Sequence, residues 1–175
     1  MYLHRFIIAF FVCINQAFAQ DFNIEEEGLK LLPKQVEKTV QRTFHAQNQF
    51  EFTNCKLVGK AINLSDSKKD SSFVVTTTNA CGWGASSGPV WVVSKIKNSY
   101  KSIMHIITNV VEFKEEKNNR LRQIVTEGGS SGHWSYARWG FTGNYYKELE
   151  SYVFLPDDEE LCKAHQDICP FDASN

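Results

Sequence analysis

The sequence predicts an α+β fold: an N-terminal amphipathic helix packed on an antiparallel β-meander of six to eight strands. Three observations predict it. Apolar residues recur at helical spacing between Lys34 and Gln47, and from Phe50 onward they alternate. The strand candidates are short and separated by turn residues, which marks a meander rather than a parallel sheet with helical crossovers. Finally, 175 residues with 42% hydrophobic and 13% aromatic content can build one domain around a real core.

The elements follow in order. Residues 20–33 are acidic and then apolar. Asn23 can cap a short helix holding Glu25 to Glu27 near its positive end. Pro33 can open a second helix, and within Lys34 to Gln47 the residues Val36, Val40 and Phe44 fall at i, i+4 and i+8. Phe50 and Phe52 then alternate with Gln49 and Glu51. Leu57 to Leu64 is a second apolar stretch, and Ser65 to Ser72 is a polar loop. Strand candidates follow at Ser72 to Thr78, Val90 to Ser94, Tyr100 to Ile107, Val110 to Lys114, Leu121 to Glu127, His133 to Phe141 and Tyr145 to Phe154. Lys117-Asn118-Asn119 and Thr142-Gly143-Asn144 are turn signals between them. No composition break divides residues 20–175.

The first 19 residues read as an export signal. His4 and Arg5 precede an apolar run from Phe6 to Ile14, and Ala17-Phe18-Ala19 offers small residues to a signal peptidase. Nine apolar residues span only about 14 Å as a helix, against a hydrocarbon core of roughly 30 Å, so a membrane anchor is disfavoured. Val12 before Cys13 argues against a lipoprotein. The expected product is periplasmic or secreted and not membrane-anchored after cleavage.

Cys55, Cys81, Cys162 and Cys169 remain after cleavage and read as two disulfides. Three connectivities exist, and short loops favour Cys55–Cys81 with Cys162–Cys169. Cys162, His165 and Cys169 also share a helical face that suits zinc, but no fourth ligand is evident locally. A continuous helix would hold the two cysteines about 10.5 Å apart, beyond reach of one disulfide. Pro156 and Pro170 favour a bend with the bond instead.

The function classes narrow by elimination. A formal net charge of -1 disfavours nucleic-acid binding by bulk charge. No metalloprotease, P-loop or dinucleotide pattern occurs, so no metal or cofactor is expected. Gly84-Ala85-Ser86-Ser87-Gly88 and Gly128-Gly129-Ser130-Ser131-Gly132 both match G-x-S-x-G, but each runs on into a strand, not the helix that a nucleophile elbow requires. A serine hydrolase using Ser86 or Ser130 with His133 is therefore the alternative reading. The leading one is a binding surface. Gly128 to Gly132, which contains Ser130 and Ser131, should protrude as a polar loop followed by His133, Trp134, Tyr136 and Arg138, and Trp, Tyr and Arg are common hot-spot residues. A structural envelope protein or small-ligand binder is a third possibility.

Asn79-Ala80-Cys81-Gly82, then Gly88-Pro89-Val90-Trp91, then Trp139-Gly140-Phe141-Thr142-Gly143-Asn144-Tyr145-Tyr146 stand in an order that resembles a loose group of small exported bacterial β-rich proteins of unassigned function. In type rather than motif, the chain resembles periplasmic immunity proteins that block cell-wall-degrading effectors. That resemblance implies a protein partner, a peptidoglycan hydrolase, met through a Gly/Ser loop.

Overall fold

The computed structural model describes residues 21–46, 52–67 and 71–171. The expected signal segment and Phe50 lie outside the described residues. In chain order the elements are β1 (Phe22–Asn23), β2 (Lys30–Leu31), α1 (Lys34–Ala46), β3 (Leu57–Ile62), β4 (Ser72–Thr77), β5 (Gly88–Ile96), β6 (Ser99–Thr108), β7 (Val110–Asn118), β8 (Leu121–Ser130), β9 (His133–Phe141), β10 (Tyr146–Phe154) and α2 (Glu159–Ala164).

The expected fold class is corrected. The chain is mostly β, 51% strand and 13% helix, and it forms two antiparallel five-stranded sheets rather than an α+β single meander of six to eight strands. One sheet runs β2-β3-β4-β5-β6 and the other β1-β7-β8-β9-β10. The chain changes sheet at a single residue, Asn109, between β6 and β7. One residue is too few for a hairpin, so β7 does not fold back on β6 but starts the second sheet. The short helix expected after Asn23 is also absent. Asn23 pairs with Val110 in β1–β7, and its side chain accepts the Glu25 N–H at 2.8 Å in a turn.

The core lies between the sheets. Val74, Val90, Val92 and Ile103 of one meet Phe22, Val111, Phe113 and Ile124 of the other. The run Val90–Val93 is buried on both sides, because residues pointing away from the other sheet are covered too. There Trp91 and Val93 meet Phe52, Leu57 and Val75, along with Val36, Val40 and Phe44 of the short α1. The outer side of the second sheet is covered by the C-terminal tail, where Tyr136 and Phe154 are buried with Cys162.

Two disulfides brace this arrangement. Cys55 joins Cys81 and Cys162 joins Cys169. α2 stops at Ala164 and the chain bends, which brings the Cys162 and Cys169 Cα atoms to 5.2 Å. The bond removes the thiolates that a zinc site would need. Paired disulfides indicate an oxidising environment. No helix among the described residues is long and apolar enough to cross a membrane.

Candidate functional site

The candidate site forms where the two Gly/Ser segments meet. Gly128 to Ser130 belong to β8, and Ser130 pairs with His133 of β9. The expected protruding loop is thus reduced to a two-residue turn, Ser131–Gly132, with φ of 54° and 81°. Both values are left-handed, as the tight hairpin turn matching strand twist demands, and Gly132 takes its position without a Cβ penalty. Ser130, Ser131 and His133 are exposed at this tip.

Residues 84–88 form a tight loop ahead of β5, closed by the Gly84 N–H donating to the Ser87 carbonyl at 2.8 Å. This loop lies against the hairpin. Ser86 Oγ donates to the Gly129 carbonyl at 2.5 Å. Ser87 Oγ donates to Asn109 Oδ1 at 2.8 Å, and Asn109 Nδ2 donates back to the Ser86 carbonyl. The Asn109 backbone is held as well: its N–H donates to Glu127 and its carbonyl accepts from Ile24. Gly128 leaves room for this corner, since a Cβ there would stand 2.6 Å from Asn109 Oδ1. Between loop and hairpin lies a shallow pocket of about 150 Å³ that includes Ser87, Ser130, His133 and Ser135.

The other two sequence-predicted residues do not line this pocket, although Trp134 pairs with Gly129 within the hairpin. Trp134 is half-buried against the tail, beside Tyr136, Tyr152 and Phe154. Arg138 Nε lies 2.8 Å from Glu150 Oε1, an ion pair along β9 and β10. The face shared by Trp134, Tyr136 and Arg138 is therefore occupied by the chain's own tail and by Glu150. His165 packs its ring on Tyr152 at 4.0 Å. Among the described residues no group of three or more His, Cys, Asp or Glu could hold a metal.

Chemically, the tip offers hydroxyls and an imidazole. His133 Nδ1 is 3.2 Å from the Ser131 carbonyl, and the Ser86 hydroxyl is engaged as a hydrogen-bond donor to the Gly129 carbonyl. Neighbouring Glu127 is pushed above the usual carboxylate range, first by burial and then by the nearby negative charge of Glu112. Asn109 is the residue that sequence reasoning missed. Its only signal was a polar break between the apolar pairs Ile106-Ile107 and Val110-Val111.

No protein-family model matches this chain, and no curated protein or solved structure matches it.

Proposed function

We propose that the protein is an exported, periplasmic binding protein that inhibits a protein partner through the β8–β9 tip, with a peptidoglycan hydrolase as the partner class. One observation carries this reading: the exposed tip is held in place before any partner arrives. The Ser86–Gly129 hydrogen bond and the Asn109 corner tie it to the 84–88 loop, within a sheet pair braced by two disulfides. A tip already ordered pays less conformational entropy on insertion into a cleft. Ser130, Ser131 and His133 would supply hydrogen bonds to the partner's active-site groups. The resemblance in type to immunity proteins against cell-wall hydrolases supports the choice of partner.

Titrating the mature protein into peptidoglycan turbidity assays with a panel of purified amidases, muramidases and endopeptidases tests the reading. Inhibition of one class is expected, abolished by Ser130→Trp with thermal stability retained, and abolished by Gly132→Glu with a lowered melting temperature, because φ 81° disfavours a side chain there. Inhibition unchanged in both variants removes the tip from the interface, and no inhibition of any class removes the partner assignment. The pocket shared by Ser130 and His133 keeps a serine hydrolase as the second reading. Fluorophosphonate labelling that disappears in Ser130→Ala would replace the binding role with a catalytic one.

A further inference from the structure

The opposite end of the strands carries a feature that the tip does not explain. There the β5–β6 turn, the β7–β8 turn and the β9–β10 loop flare around a groove of about 770 Å³. Four cations line it, Lys95, Lys97, Lys101 and Arg120, over an apolar floor that includes Leu121 and Phe141. Among the described residues no acidic side chain lines the groove. All four cations are exposed, while Leu121 and Phe141 are buried. None of the four has an ion-pair partner among the described residues, although six other basic side chains do. The chain's formal net charge is -1, so taking out the groove's +4 leaves -5 for everything else. Four like charges thus face one cavity in a chain that is slightly negative overall.

Backbone conformation supplies a second, independent observation. Lys97 sits at φ 59° and Arg120 at φ 70°, in the left-handed region that glycine and asparagine occupy more easily. Two turns that would be relaxed with glycine instead hold long cationic side chains, and both of these line the groove. Strain at such positions points to a use for the side chain beyond folding.

We infer that this groove binds a small, multiply charged anion, one bearing several phosphate or carboxylate groups. An exposed lysine gains little from a single opposite charge, so one anionic group would be held weakly. Four unpaired cations around one cavity instead favour a ligand whose charges engage them together. The volume suits a small molecule rather than a single ion. This site is independent of the hairpin tip and of the partner proposed for it.

Calorimetric titration of the mature, disulfide-bonded protein in low-salt buffer tests the inference. Tripolyphosphate and citrate separate the phosphate and carboxylate sources, and acetate serves as the singly charged control. At least one of the two polyanions is expected to bind ten-fold or more tightly than acetate, and to weaken as salt rises. The key variant is Lys97→Gly with Arg120→Gly. It relieves both left-handed positions, so its melting temperature should match or exceed that of the parent, while polyanion affinity falls at least ten-fold. Lys34→Gln with Lys163→Gln removes the same charge elsewhere and should leave affinity within two-fold. Failure of both polyanions to bind overturns the site. So does binding that survives the glycine variant, or that falls equally in the remote control.

Discussion

Replacing Cys55 and Cys81 together by serine removes a bond that spans 26 residues of sequence, and replacing Cys162 and Cys169 removes one that spans 7. Loop-closure entropy makes the first worth about 3.5 kcal/mol and the second about 2.4 kcal/mol at 25 °C. A domain of this size loses roughly 2–4 °C of melting temperature per kcal/mol. The expected falls are therefore about 7–14 °C for Cys55→Ser/Cys81→Ser and about 5–10 °C for Cys162→Ser/Cys169→Ser. The two losses should also differ in kind. Cys55 lies in the aromatic cluster with Phe52 and Trp91, so its loss should weaken the whole transition. Cys162 and Cys169 hold the tail over Tyr136 and Phe154, so their loss should first expose that face. Scanning calorimetry under non-reducing conditions measures the falls, and a hydrophobic dye titrated below the main transition reports the exposed face. A larger fall for the Cys162–Cys169 pair, or a fall under about 2 °C for either, would refute the reasoning.

Three further outcomes follow from single side chains. Tyr146 donates its hydroxyl to the Arg122 carbonyl at 2.7 Å, and burial holds its phenol well above the usual range. Tyr146→Phe should cost about 1–2 kcal/mol in urea unfolding, since it strands a part-buried acceptor. Because the folded pKa of Tyr146 is raised, its contribution is present below the unfolded value near 10 and is lost as pH climbs above it. Tyr146→Phe should therefore flatten the alkaline limb of the stability curve. Glu127 is likewise raised, so the folded state favours its protonated form and its charge opposes folding at neutral pH. Glu127→Gln should raise the melting temperature at pH 7, and the gain should vanish below about pH 4.5, as melts across that range would check.

The strand positions and the disulfide pairing were legible because they rest on local signals: alternation, turn residues and loop length. The division into two sheets was not. Alternation says which residues share a face but not what covers it, and Val90 to Val93, buried throughout, hides which side is which. The step from one sheet to the other rests on Asn109 alone, a spacing that reads as an ordinary connection between paired strands. Trp134 read as part of a binding surface because the tail that packs against it, around Cys162, lies more than 20 residues further on. The cations of the groove are equally dispersed. Lys95 and Arg120 are 25 positions apart and meet only because two hairpins turn at the same end.

With an aromatic cluster and α1 on one sheet face and the tail on part of the other, the strand ends are among the exposed places of the described residues. Asn109 is where that architecture becomes a site, because one side chain both crosses between sheets and fixes the 84–88 loop. Asn109→Leu keeps similar bulk but removes the bonds to the Ser86 carbonyl and Ser87 hydroxyl. Each stranded group costs about 1–2 kcal/mol where water cannot fully replace the partner. If the corner holds the loop, amide exchange in residues 84–88 should quicken at least ten-fold, an opening free energy lower by about 1.4 kcal/mol. Ser86→Ala should loosen the tip while sparing the Asn109–Ser87 bond, so exchange near Gly129 should rise more than near Ser87. If the proposed inhibitory role holds, inhibition of a partner hydrolase should weaken in both variants through slower capture by a less ordered tip. Uniform acceleration across all strands would instead mean that Asn109 only adds global stability, and the pre-ordering that carries the binding role would be lost with it.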